Sequence, residues 1–140
     1  AAGVEDVSAY AGLTAHYVQA RLREVYTPAF EGRCMHECVF TAAPQARRGI
    51  KAIDIAKALL DRGFHAPTAY FPLTVKESLM IEPTETESRD TLDAFCDAMI
   101  EIARLAEEDP DALHAAPRTT VVGRLDEVRA ARELDCSFLE

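Results

Sequence analysis

The stretch GFHAPTAYFP (63–72), followed after a short interval by LMIEPTETES (79–88), decides how the rest of the chain is read. Gly63 closes a helical pattern, because glycine accepts the left-handed backbone that a helix C-terminus uses. Pro67 pushes Ala66 toward extended geometry and Pro72 does the same to Phe71, so residues 68–71 are predicted to form a short extended piece between two rigid corners. Ser78 to Ile81 is a second apolar run, and it stops at Glu82-Pro83. Thr84 and Glu87 then have the spacing of a capping box at the start of a long amphipathic helix. Two strand-like pieces and a helix N-terminus reaching one rim make a ligand edge, although that geometry names no ligand.

Working outward, helices flank this centre. Residues 88–107 carry an apolar stripe through Leu92, Phe95, Cys96, Met99, Ile100 and Ala103, and Asp109-Pro110 breaks the pattern before one short helical turn at 110–115. Upstream, residues 50–62 are predicted to be a helix with Ile50, Ile53, Ala56, Leu59 and Leu60 inward and Lys51, Asp54, Lys57 and Asp61 outward. Residues 5–26 make another, with a stripe through Val7, Tyr10, Thr14, Tyr17, Val18, Leu22 and Val25, ended by Thr27-Pro28.

Residues 33–41 are the best strand candidate, with Cys34, His36, Cys38 and Phe40 on one face and Met35, Glu37 and Val39 on the other. On this reading His36 and Glu37 point to opposite faces. Cys34 and Cys38 would lie about 13 Å apart, whereas zinc needs both sulfurs within about 2.3 Å of one ion; no metal site is therefore expected.

The order helix, strand, helix, strand, strand, helix, with helices amphipathic on one side, implies an α+β two-layer sandwich. Residues 1–116 are read as the domain with its leading helix. Residues 117–140 have too few apolar positions to fold alone and form an extended arm lying over the domain or a partner; Val121 and Val122 are expected to add an edge strand, and Leu125, Val128 and Ala131 a short helix. The formal charge of −9 argues against a nucleic-acid partner. No apolar run approaches the roughly 20 residues of a membrane span. Four cysteines without framework spacing suit reduced thiols and a cytoplasmic setting.

FHAPT (64–68), LMIEPTETE (79–87) and LDAFCDAMI (92–100) resemble the C-terminal region of the glycine-cleavage P-protein, the pyridoxal-phosphate-dependent decarboxylating glycine dehydrogenase. GRCMHECVF (32–40) is similar to that family's His-Glu strand, and RLDEVRAAR (124–132) to the tail of the second subunit of its split bacterial form. The resemblance implies the small C-terminal domain of a fold-type I enzyme. It also implies a companion subunit 1, a large cofactor domain, glycine as substrate and the lipoyl H-protein as acceptor.

Carried over position by position, the family's motifs mark His36 and Glu37, His65 and Thr68, and Glu82, Thr84 and Glu85 as substrate-facing. Glu87 completes the last motif. Each has a plainer reading: His65 suits hydrogen bonding to helix-end carbonyls, and Glu85 and Glu87 suit a helix N-terminus without any ligand. Pyridoxal phosphate needs a Schiff-base lysine. Lys51, Lys57 and Lys76 match no cofactor motif, so neither bound cofactor nor catalytic residues are expected in this stretch alone. The rival readings are a non-catalytic module for subunit assembly, or the small domain of another fold-type I enzyme. A face meant for the cofactor domain is expected to drive self-association.

Overall fold

A computed structural model describes residues 2–137. The chain forms α1 (Ala2–Leu22), β1 (Thr27–Pro28), β2 (Cys38–Thr41), α2 (Ala43–Ala46), α3 (Ala52–Leu60), β3 (Thr68–Ala69), β4 (Ser78–Ile81), α4 (Arg89–Glu108), α5 (Pro110–His114) and α6 (Glu127–Arg132). It is a small α+β domain whose four strands make one antiparallel sheet in the order β1-β2-β4-β3. Phe40 stands opposite Leu79 and Cys38 opposite Ile81. Because side chains alternate along a strand, these four share the face that meets the helices. All are buried, with Leu22, Ile55, Leu59, Met99 and Ile102 closing over them. Removing one such aliphatic side chain costs about 2–5 kcal/mol.

α1 ends four residues before the expected boundary. Residues 23–26 turn instead, with the Tyr26 amide bonding to the Leu22 carbonyl at 2.9 Å. The turn lets Tyr26 point inward, meet Phe40 edge-on at 6.3 Å and donate its hydroxyl to the Met99 carbonyl at 3.1 Å. Thr14, Ala15, Val18 and Leu22 are the buried stripe of α1, whereas Val7 and Tyr10, expected inward, are exposed.

The strand expected over residues 33–41 is realised only as Cys38–Thr41. A strand needs a partner for its amides and carbonyls. On one side β4 stops at Ile81 before Pro83, and on the other β1 has two residues. Residues 32–37 have no ladder to join and loop outward, beginning with Gly32 at φ +93°. The alternating faces assigned to Cys34, His36 and Glu37 do not hold: Cys34 lies half-buried against the same core as Cys38.

Gly63, at φ +79°, follows α3 as expected. Its amide and that of Phe64 bond back to Leu60 and Leu59. Asp54 departs from its outward assignment and is 4% exposed. It accepts the Lys51 amide at 2.8 Å and an ion pair from Arg124 at 2.7 Å, so a buried charge is compensated on two sides. The N-terminal amide of Ala52 is satisfied by the Glu77 carboxylate at 2.8 Å.

α4 begins at Arg89. Its N-cap is Ser88, whose hydroxyl oxygen accepts the Thr91 amide at 3.1 Å. The capping box expected at Thr84 and Glu87 is not formed; that tetrapeptide is a separate turn in which the Glu87 amide bonds to the Thr84 carbonyl at 3.2 Å. Two residues, Arg118 and Thr119, bind back to Asp61. Val121 and Val122 form no strand, and the apolar side chains of α6 lie exposed. No helix among the described residues is long and apolar enough to cross a membrane.

Candidate functional site

A mainly apolar hollow lies where the turn after α3, the end of β4 and the first turns of α4 converge. Its volume is about 420 Å³, enough for a small ligand or a substituent of one. Ile81, Pro83 and Leu92 are buried and make its floor. Phe64 and Phe95 meet edge-on at 5.5 Å and close one side. The carbonyl of Pro83 is held by the Thr14 hydroxyl at 3.1 Å, which ties the floor to α1.

His65, Thr68, Glu82 and Thr84 stand together on the exposed rim of this hollow. Glu85 does not line it. Thr84 is oriented by a 2.8 Å hydroxyl contact with Thr86. Glu87, Thr91 and Phe95 also contribute, and of these Thr91 and Phe95 escaped functional assignment from the sequence. From the sequence, Phe95 has only a packing role in the stripe of residues 88–107, and the four-residue spacing that puts Thr91 on the same helix face is the signal that would have added it.

His36 and Glu37 occupy a different hollow of about 310 Å³, beside Gln19, Arg33 and Cys34. They do not point apart as expected. Without a strand pleat at this position, His36 Nε2 and Glu37 Oε2 approach to 4.0 Å.

Behind the rim, a charged cluster locks α4 to α1. Asp93 accepts hydrogen bonds from Tyr17 and Arg21, and Arg21 also reaches Asp97 at 2.7 Å. The Tyr17 hydroxyl, then the Arg21 and Arg89 cations, outweigh desolvation and hold the Asp93 carboxyl below its ordinary range. The cluster fixes the helix that supplies Thr91 and Phe95.

The rim offers an imidazole, hydroxyls and carboxylates over an apolar floor. That set can orient an amine, a carboxylate or an amide through hydrogen bonds. Covalent chemistry is another matter. Lys51 opens α3, Lys57 lies along it and Lys76 precedes β4; none lines the hollow. The nearest thiol, Cys96, faces the core, and burial pushes it up to about 11. Among the described residues no three His, Cys, Asp or Glu side chains gather as metal ligands.

The profile of the family described as "Glycine dehydrogenase, C-terminal domain" matches residues 7–118. The chain is 55% identical over 130 residues to the probable glycine dehydrogenase (decarboxylating) subunit 2 of Lysinibacillus sphaericus, covering 93% of this chain and 27% of that protein. It is 53% identical over 131 residues to the proteins of the same description from Staphylococcus saprophyticus and Bacillus velezensis, covering 94% of this chain and 27% of each. The chain thus spans about a quarter of the length of these relatives. With a family match across most of the domain and the motifs at the groove within it, the chain belongs to the glycine dehydrogenase C-terminal domain family.

Proposed function

We propose that this domain is the small C-terminal lobe of a fold-type I, pyridoxal-phosphate-dependent glycine dehydrogenase, and that it closes one side of a pocket built mainly by the rest of the protein. The observation that carries this reading is the one-sided groove at 64–95, lined by the motif residues His65, Thr68, Glu82 and Thr84 but by no lysine. These residues suit contacts to the substrate or to the incoming acceptor. They do not suit covalent attachment of the cofactor, so the lysine that holds pyridoxal phosphate belongs to the remaining polypeptide. Glu85, outside the hollow, and His36 with Glu37, in the second one, are assigned to the surface that meets neighbouring chains.

In the intact enzyme, glycine is decarboxylated and the aminomethyl group passes to the lipoyl arm of the H-protein. A companion subunit 1 completes the assembly in the cytoplasm. Residues 1–116 form the lobe and residues 117–140 its arm; the last three residues of that arm lie outside the described structure.

The test uses the full-length protein with its companion, pyridoxal phosphate, glycine and lipoyl H-protein. His65→Ala and Glu82→Gln should each lower kcat/KM about tenfold or more, which corresponds to at least about 1.4 kcal/mol of lost transition-state stabilisation. The cofactor absorbance band should be retained. The isolated domain mixed with pyridoxal phosphate should give no stable adduct. Groove variants with unchanged kinetics, or a stable adduct abolished by Lys76→Ala, would contradict the reading.

A further inference from the structure

The floor and the rim of the groove at 64–95 together favour one kind of occupant over another. The floor is hydrocarbon. Ile81, Pro83 and Leu92 are buried beneath it, and the Phe64–Phe95 pair closes one side. Met80 stands opposite Thr68 in the β3–β4 ladder, so the two project from the same side of the sheet, with Met80 half-buried in the lining. Such a surface is stabilised in proportion to the apolar area that covers it. Glycine has no carbon beyond its α-carbon to offer.

The rim is biased against a carboxylate. Glu82 and Glu87 stand in the lining, His65 is its one basic side chain, and no Arg or Lys joins them among the described residues. The start of α4 does not offset these acids. The Thr91 amide is taken by Ser88 at 3.1 Å, and Asp90 adds a further acid to the first turn. Arg89 is engaged by Asp93 at 3.6 Å. An incoming carboxylate therefore meets like charge with no lysine or arginine in the lining to pair with it. An amide escapes this conflict, because its N–H can donate to a carboxylate and its carbonyl can accept from the Thr68 hydroxyl.

We infer that the groove is the seat of an unbranched alkyl chain joined to an amide, and not the seat of glycine. The chain lies over Met80, Ile81, Leu92 and Phe95, and the amide rests on the rim beside Glu82 and Thr68. This deepens the proposed function and rests on it for one step: of the reactants named there, only the lipoyl arm of the acceptor carries both an alkyl chain and an amide. Glycine is then held by the part of the pocket that the remaining polypeptide supplies. The groove is set before the chain arrives, since Thr14 holds the Pro83 carbonyl and the cluster around Asp93 holds α4. Little ordering is left to be done on binding.

The experiment uses the full-length protein with its companion subunit, pyridoxal phosphate, glycine and lipoyl H-protein, with butanamide, hexanamide or octanamide added as probes. Inhibition should be competitive with the acceptor and not with glycine. It should strengthen by up to about fourfold per added methylene, the worth of one buried CH₂. Octanoate, the same chain ending in a carboxylate, should inhibit at least about tenfold less than octanamide. Met80→Ser should raise KM for the acceptor about tenfold, leave KM for glycine unchanged and flatten the chain-length series, whereas Met80→Leu should behave as the wild type.

Probes that compete with glycine, that gain nothing with chain length, or that bind no better than octanoate would overturn the seat. Octylammonium binding more tightly than octanamide would do the same, by marking the rim as a cation site. In each of these cases turnover by the wild-type mixture leaves the proposed function standing. Wild-type mixtures that do not act on glycine would overturn the proposed function first, and calorimetric titration of the same full-length protein with octanamide and octanoate then decides the seat by itself.

Discussion

Two residue-level features have measurable consequences. Asp54 is nearly fully buried and neutralised by Arg124, which is itself over a third exposed. Removing one partner of a fully buried pair costs about 3–5 kcal/mol, while an exposed pair is worth at most about 1 kcal/mol. Asp54→Ala should fall between these limits, near ~2 kcal/mol, because it also strips the Lys51 amide of its acceptor. Urea unfolding reads this directly, and a stability change below about 0.5 kcal/mol would show that the pair is not structural. The thiols divide just as clearly. Burial, then the neighbouring Cys34 and Cys96, pushes Cys38 up to about 12, and burial lifts Cys96 to about 11. Since the thiolate is the nucleophile, at pH 8 only about a thousandth or less of either thiol is reactive. Iodoacetamide labelling followed by mass spectrometry should mark the exposed Cys136 long before Cys38 or Cys96.

Among the elements, the helix starts separate what the sequence discloses from what it conceals. Ser88→Ala should cost about 1 kcal/mol, the usual worth of an N-cap hydroxyl, whereas Thr84→Ala should change stability by no more than about 0.5 kcal/mol. Equal effects at the two positions would restore the capping box expected at Thr84 and Glu87. The sequence carries two rival caps four residues apart, Thr84 with Glu87 and Ser88 with Thr91, and local pattern cannot rank them. Tertiary packing ranks them, because Thr14 fastens the Pro83 carbonyl and keeps residues 82–87 out of the helix. The same division runs through the rest. Gly63, the apolar run at 78–81 and α4 were legible, since each depends on glycine, a proline stop or helical periodicity, whereas the extended piece expected at 68–71 is realised only as Thr68–Ala69, with Tyr70 at φ +61°. The grouping of His65, Thr68, Glu82 and Thr84 was legible only through the family's motifs. The inward turn of Asp54 was not, for its partner Arg124 is seventy residues away in the chain. The short reach of β2 depends likewise on where β4 ends. The arm's root adds a pH dependence. Burial would raise the Asp61 carboxyl, but hydrogen bonds from Thr119 and Arg118 hold it below its ordinary 3.8. With the folded value lower than the unfolded one, its contribution is complete above the unfolded value and is lost as pH falls through the folded value. The amide proton shifts of Arg118 and Thr119 should therefore titrate below pH 3.8, and Asp61→Asn should abolish that titration.

At the scale of the whole molecule, an apolar face competes with a net charge. The first half of α1 leaves Val4 67%, Val7 45%, Tyr10 56% and Leu13 62% exposed, an apolar strip at three-residue spacing that winds part of the way around the helix without cover among the described residues. Burying such a strip against a second copy is favourable at about 25 cal/mol per Å² of apolar surface. Against it stands the formal charge of −9 on each copy, which repels at long range. Salt separates the two terms. At about 0.15 M the screening length is about 8 Å, so repulsion between copies fades while apolar burial does not. Sedimentation of the isolated domain should therefore show self-association that rises with protein concentration and strengthens from low to moderate salt. An association held by ion pairs would weaken instead. Tyr10→Lys with Leu13→Lys should suppress the association without lowering the unfolding midpoint, because neither side chain belongs to the buried core. A domain that sediments as a monomer at every concentration and salt, or a double variant that associates unchanged, would show that the strip is not the surface the copies use.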